Sequence, residues 1–309
     1  MTRYVSGCRV RCNIDEPETI QEKLMWLNIY DADPLKSDCA DKLKVKEYAK
    51  RILGKDISLP TLKIWNSADE IDFDELPDKF VLKCNHGSGM NIIVKDKSQI
   101  NQNNVRQQLA KWLSDDFAFK VGFESHYHWI ERKIFAEELI DEGNGDLKDY
   151  KFWCFNGEPM FWTINDGNGH GNWMNFYDMD KNLLSYKRKD YPDEPSSKIE
   201  MPVCFDNLAK YSSKLSKAFK FVRIDFYEID GKPFLGEMTF TPGAFIFKYK
   251  NPEDEIKVGN LLDISQKEQF IVSLTSFPER IMYASIAIDS LLSQKASVDY
   301  KVVLTLAEP

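Results

Sequence analysis

The segment 221–243, FVRIDFYEIDGKPFLGEMTFTPG, alternates polar and apolar positions on either side of Asp230-Gly231, a pair that marks a hairpin turn. A three-residue loop at Asp230, Gly231 and Lys232 sets Asp225 opposite Glu237 and Arg223 opposite Thr239. Val222, Ile224, Phe226, Met238 and Phe240 then share the other, apolar face. Two like charges directly opposite on adjacent strands repel unless a cation or a proton sits between them. Carboxylate oxygens in this arrangement suit magnesium that also bridges nucleotide phosphates, an ion held by one or two protein carboxylates. A two-residue loop would instead throw Asp225 and Glu237 to opposite sides and leave a solvated hairpin.

A second segment, KFVLKCNHGSGMNIIVK at 79–95, places Phe80, Leu82 and Cys84 on one strand face and Lys83 on the other, just before Asn85-His86-Gly87-Ser88-Gly89. A glycine-rich hairpin tip bares backbone N–H groups to a phosphate, and Lys83 adds a point charge. His86 lies inside this loop and is a candidate for holding a phosphate or ordering the loop. Neither the Walker pattern nor a Rossmann turn is present, since the glycines lead into a strand. The competing reading is a flexible turn beside a surface lysine. Lys151 in DYKFWCF alternates away from Phe152 and Cys154, so it projects either into the same cleft or to solvent. Glu137, Glu138, Leu139 and Ile140 end a strand before an Asp/Gly turn, a hinge where backbone groups can read an adenine edge and a following carboxylate can reach a ribose. His126 and His128 flank Tyr127 without further ligands at metal spacing and read as packing or surface residues. Cys84, on the apolar side of its strand, reads as core.

The elements that carry these residues follow from pattern. Residues 17–53 predict two helices, the second opening at Ser37 and closing at Gly54. FVLKC and NIIVK form a hairpin, followed by a helix around 105–113 and a strand through 132–139. After a polar turn at Asp141–Asp146 come strands from Asp149, over 161–164 and over 175–177, an excursion loop at 182–202, and a helix over 206–219. From 268 the texture changes to EQFIVSLTSFPERI, a helical ASIAIDSLLSQ and a strand YKVVLTLAE, a β-α-β opening that cannot bury its own faces and reads as the start of a longer domain. With 309 residues, 43% of them apolar and 13% aromatic, the chain can fill a substantial core, which excludes a disordered or fibrous protein. The net charge of -8 argues against nucleic-acid or anionic-membrane partners, which require a basic footprint. Six single cysteines without C-x-x-C spacing, and no export signal or long apolar run, predict a reduced cytoplasmic chain without membrane insertion.

Taken in order, PDKFVLKCNHGSGMNIIVKDKS, DYKFWCFNGEP and VRIDFYEIDGKPFLGEMTFTPG resemble the ATP-grasp superfamily, and specifically its teichuronopeptide-biosynthesis (TupA-like) branch, over about residues 20–262. The resemblance implies an α+β fold of two lobes gripping ATP. The expected limits are a helical N-terminal extension at 1–70, an N-lobe with a glycine-rich flap at 71–136, a C-lobe with the metal and catalytic site at 137–264, and a truncated second domain at 268–309. It further implies that Lys83 contacts the phosphates, that Gly87, Ser88 and Gly89 form the flap, and that Glu138 to Ile140 form the adenine hinge. Asp225 and Glu237 are implied as magnesium ligands, with Thr239 at the usual third-ligand position, where most of the superfamily has Asn. Arg223 is implied as the cation facing the reacting carboxyl, and Lys151 as the basic residue of the inner strand. The tail resembles the opening of a glycosyltransferase-like domain, a fused partner that points to cell-surface polysaccharides. The implied activity is amide formation between a uronic acid, free or as a nucleotide sugar, and a small amine, through an acylphosphate. The rival readings are a sugar kinase of the same fold and a non-catalytic nucleotide-binding module.

Overall fold

Short polar side chains open and close the helices at the N-terminal end. In the computed structural model, which describes residues 12–140, 149–165, 173–191 and 201–265 and the backbone of strands 269–276 and 299–306, Thr19 and Glu22 cap each other reciprocally. That capping box starts α1, Ile20–Tyr30. Asp33 caps α2, Pro34–Ala40, which carries Pro34 in its first turn. α3, Lys44–Leu53, ends at Gly54 in the left-handed region, as predicted. Three helices therefore stand where periodicity predicts two, and Ser37 lies inside α2. Asp41 makes the break by accepting the Leu43 amide at 2.8 Å and the Lys44 amide at 3.4 Å.

β1, Thr61–Trp65, β2, Phe80–Cys84, and β3, Asn91–Val94, precede α4, Gln102–Ser114, and β4, Ile134–Glu138. These strands form one antiparallel sheet in the order β1-β4-β2-β3. Two expected limits fall inside this sheet. The segment 1–70 is not all helical, because β1 pairs with β4, and a division between 136 and 137 cuts β4 itself.

β5, Asp149–Phe155, β6, Glu158–Asn165, β7, Met174–Asp178, α5, Phe205–Ser216, β8, Phe221–Ile229, and β9, Lys232–Thr239, build the second region, followed by α6, Pro252–Gly259. Its antiparallel sheet runs β7-β6-β5-β8-β9. Phe152, Cys154, Val222, Ile224, Phe226 and Met238 are buried on one face together with Phe205, Leu208 and Leu215 of α5. Period-two alternation sends the odd-numbered Lys151, Arg223, Asp225, Glu237 and Thr239 to the other face. Residues up to Asp263 make one compact unit, and those from Ile264 a second. In the second, β10, Gln269–Ser276, and β11, Asp299–Leu306, pair parallel, as a β-α-β opening requires. The helix expected between them, the turn at 141–146 and residues 192–200 of the excursion lie outside the described residues. No helix among the described residues is long and apolar enough to cross a membrane.

Candidate active site

The β8–β9 hairpin reaches the predicted pairing by an unpredicted route. Asp230 and Gly231 have φ of 51° and 68°, and Ile229 pairs with Lys232, so the turn has two residues and not three. A two-residue turn alone would set Asp225 opposite Gly236. Between Asp225 and Phe226 the register shifts by one residue, because Phe226 pairs with Leu235 and leaves Gly236 as a bulge. Asp225 thereby comes opposite Glu237, and Arg223 opposite Thr239. Gly236 is required by close approach. A Cβ there would lie 3.0 Å from Tyr227 Cε2 and 3.1 Å from the Asp225 carbonyl oxygen.

On this face every carboxylate meets a cation. Asp225 accepts from Arg223 Nε (2.7 Å), Arg223 Nη2 (2.6 Å) and Lys151 Nζ (2.8 Å), and Lys151, directly opposite on β5, also binds Asp149. Glu237 accepts from Lys42 Nζ (2.7 Å), the Thr239 hydroxyl (2.9 Å) and Arg223 Nη2 (3.3 Å). Lys42, working against burial and aided by Arg223, holds the Glu237 carboxyl well below the usual range. Burial disfavours the Lys151 ammonium, but Asp149 and Asp225 outweigh it and raise its pKa. Three acids, Asp149, Asp225 and Glu237, thus balance three cations, Lys42, Lys151 and Arg223; Asp225 and Lys151 are buried and the other four are half-buried. Such a cluster is weak evidence for stability, because desolvating each ion costs several kcal/mol. Its use lies in fixed charge.

Among the described residues no group of three or more His, Cys, Asp or Glu is arranged to hold a metal alone. Asp225 and Glu237, two carboxylates paired across the hairpin, are a donor set that suits an ion drawing its other ligands from elsewhere, as magnesium does from phosphate oxygens. Thr239 donates its hydroxyl to Glu237 and also bonds Arg223 (3.3 Å), so it buttresses the acid it follows.

The first sheet contributes a second ionic group. Lys83 on β2 donates to Glu137 Oε2 (2.6 Å) and Lys46 on α3 to Glu137 Oε1 (2.5 Å). Burial raises the Glu137 pKa, but Lys83 and Lys46 outweigh it and lower the pKa. Glu137 is thus a buried strand residue that orients Lys83. Glu138 is exposed, and Leu139 and Ile140 are half-buried beyond the strand end. Burial raises the Tyr227 hydroxyl pKa, and Asp149, Glu237, Asp225 and Glu137 all add to it.

The glycine loop is anchored at its base and bare at its tip. The Asn85 side chain accepts the Lys133 amide (2.7 Å) and donates to the Glu131 carbonyl (2.9 Å), while the Asn85 carbonyl accepts the Lys42 amide (3.1 Å). His86 is 1% exposed, with Nε2 3.1 Å from the Trp112 carbonyl of α4. It orders the loop from beneath and does not face a phosphate. Gly87 packs against Phe117, whose ring a Cβ would meet at 2.6 Å. Ser88 and Gly89 are exposed, and Gly89 has φ 71°. As expected, Cys84 is buried core. His128 pairs with Asp116 at 2.6 Å.

Lys42, Lys46 and Asp149 belong to the site and were not legible beforehand. The only signal is two lysines four residues apart in a segment whose Val45 and Ala49 are buried. Their acidic partners lie 195 and 91 residues away.

Residues 22–262 match the family described as TupA-like ATPgrasp. No curated protein matches the chain. Among solved structures, a D-alanine–D-alanine ligase from Bacillus anthracis complexed with ATP is similar at 18% identity, covering 65% of this chain and 53% of that one, with a TM-score of 0.35. A D-alanine–D-alanine ligase from Helicobacter pylori is similar at 17% identity, covering 73% and 61%, with a TM-score of 0.38. An L-amino acid ligase from Bacillus licheniformis is similar at 10% identity, covering 67% and 42%, with a TM-score of 0.37. The chain spans 42% to 61% of the length of these three structures.

Proposed function

The chain belongs to the TupA-like ATP-grasp family and has its α+β fold, and from this we propose that it is a cytoplasmic carboxylate–amine ligase using ATP and magnesium. Its carboxylate substrate is a uronic acid such as glucuronate, free or as a nucleotide sugar, and its nucleophile a small amine. The amide product belongs to capsular or surface polysaccharide synthesis, alongside a fused glycosyltransferase-like domain. What supports this reading is one observation: Asp225, Glu237, Arg223, Lys151 and Lys42 meet on a single sheet face and connect through the 42–46 segment to Glu137 and Lys83.

In this reading Lys83 and the bare amides of Ser88 and Gly89 take the nucleotide phosphates, and the strand end at Glu138–Ile140 takes the adenine. Asp225 and Glu237 hold magnesium, with Thr239 steadying Glu237. The ion, when bound, supplies neutralisation of phosphate charge. Arg223 is fixed edge-on by Asp225, and its Nη1 has no partner among the described residues, which leaves two N–H groups for the reacting carboxyl or its oxyanion. A carboxylate oxygen attacks the γ-phosphorus and ADP leaves. The amine nitrogen then attacks the acyl carbon and the C–O bond to phosphate breaks. An ammonium substrate loses two protons in all, one ending on the released phosphate and one in solvent.

The test is ADP release over a grid of uronic acids, their nucleotide sugars and small amines. We expect ADP and phosphate only when a carboxylate and an amine are both present. Asp225→Asn and Glu237→Gln should each lower turnover roughly 100-fold or more. AMP and pyrophosphate would overturn the acylphosphate route. A stable phosphorylated sugar formed without amine would mean a kinase, and unaltered behaviour of both variants a non-catalytic module.

A further inference from the structure

A cavity of about 460 Å³ opens beside the ionic cluster, within the size range of small-molecule sites. Phe221 at the start of β8 and Thr241 just past β9 form one wall. Each lies two residues from Arg223 or Thr239, so their Cα atoms are at most about 7 Å from those of the cluster. The opposite wall comes from the α1–α2 segment and the turn at 125–129.

The charge of that opposite wall is uneven. Asp31, Asp33 and Asp38 line the cavity against Lys36 alone, an acidic excess of two. Each acid has one oxygen committed: Asp31 to Lys36 (2.6 Å), Asp33 to the Leu35 amide (2.8 Å) and Asp38 to Lys44 (2.7 Å). Among the described residues the second side-chain oxygen of each has no partner. His126, also in the lining, is 6% exposed, and its buried Nε2 has no hydrogen-bond partner. Its ring is fixed against Tyr127 (4.3 Å between centroids) and Phe240 (5.6 Å). Burial and the Lys36 charge push its pKa down to about 3, so it stays a neutral imidazole. Buried nitrogens are almost always bonded, so an orphan on a cavity wall points to a ligand that supplies the missing partner. Trp129, 78% exposed in the lining, offers an indole face at the mouth, and such a face favours a cation.

We propose that this cavity binds the amine co-substrate as an ammonium ion, received by the free oxygens of Asp31 and Asp33 and by His126 Nε2, and delivers it past Thr241 to the acyl carbon at Arg223. The fate of the amine rests on the ligase reading, whereas the preference for a cation rests on the cavity itself.

Ethanolamine, ethylene glycol and glycolate form a near-isosteric cationic, neutral and anionic series. Each is titrated without ATP into the full chain carrying ¹⁵N-histidine, and the His126 ring nitrogens are followed by NMR. Ethanolamine should shift them saturably, and the other two should not. Asp33→Asn, which keeps the helix cap because Asn caps as well as Asp, should weaken ethanolamine binding roughly fivefold to tenfold through the lost charge. A silent His126, an equal response to glycolate or ethylene glycol, or an unweakened Asp33→Asn would overturn the proposal, and the wild-type series alone decides it if that variant fails to fold. Ethanolamine binding here without ADP release from any carboxylate would sink the ligase reading and leave the site standing. ADP release with a silent His126 would do the reverse.

Discussion

Glu124 is only 5% exposed, and its carboxyl accepts the hydroxyl of Thr241. Burial pushes its pKa from 4.5 up to about 7, and the Thr241 bond only partly opposes this. A carboxyl raised in this way is protonated in the fold where the unfolded chain is ionised. Its contribution to stability is therefore present below pH 4.5 and is lost as pH rises towards about 7. The interval from 4.5 to about 7 corresponds to about 3 kcal/mol. Glu124→Gln cannot ionise and keeps an acceptor for Thr241. It should raise the thermal midpoint clearly at pH 8 and much less at pH 5, and an equal shift at both pH values would contradict the argument. Nothing in GFESHYHW, an irregular stretch, marks Glu124 beforehand. Arg223, Asp225, Glu237 and Thr239 were legible because alternation along a strand assigns each residue a face. For His86 the glycine loop left two roles open, holding a phosphate or ordering the loop, and only the packing of α4 over it favours the second.

At the scale of the element, the bulge at Gly236 decides whether two acids meet. Sequence alternation gave the right partners through the wrong turn, since Asp230 and Gly231 close a two-residue loop and Gly236 restores the register that the longer loop was meant to supply. Bulges leave little trace in sequence, and a lone glycine inside a strand is the usual one. Gly236→Ala brings a methyl against Tyr227 and the Asp225 carbonyl oxygen, and a backbone atom in the sheet cannot yield easily. It should cost about 1–3 kcal/mol by overpacking and lower ADP release at least tenfold by displacing Glu237. Gly231→Ala strains a residue at φ 68° far along the hairpin. It should cost about 1 kcal/mol and leave turnover of the folded fraction unchanged. Urea midpoints and ADP release measured on both variants separate register from mere stability. Equal activity losses would show that the bulge does not set the site.

Across the whole molecule, the chain divides into two compact units between Asp263 and Ile264, and a parallel strand pair lies in the second. The inner limits were not legible, since β1 belongs with β4, a partner some seventy residues later that no local pattern announces. The end of the first unit is tied down from the opposite end of the chain. Lys23 on α1 donates to the carbonyls of Gly259 (2.9 Å) and Leu262 (2.8 Å). Gly259 packs directly on the Glu18 carbonyl, leaving no room for a Cβ. A chain stopped after Asp263 keeps all of these contacts, whereas one stopped after Asn251 loses α6 and uncovers α1, on which one wall of the cavity depends. The longer truncation product should retain a single cooperative thermal transition within about 2 °C of the full chain, with the same ADP release. The shorter one should lose both the sharp transition and the activity. Circular dichroism melts and ADP assays on the two chains check this, and a large fall in midpoint after cutting at 263 would mean that the second unit helps to hold the first together.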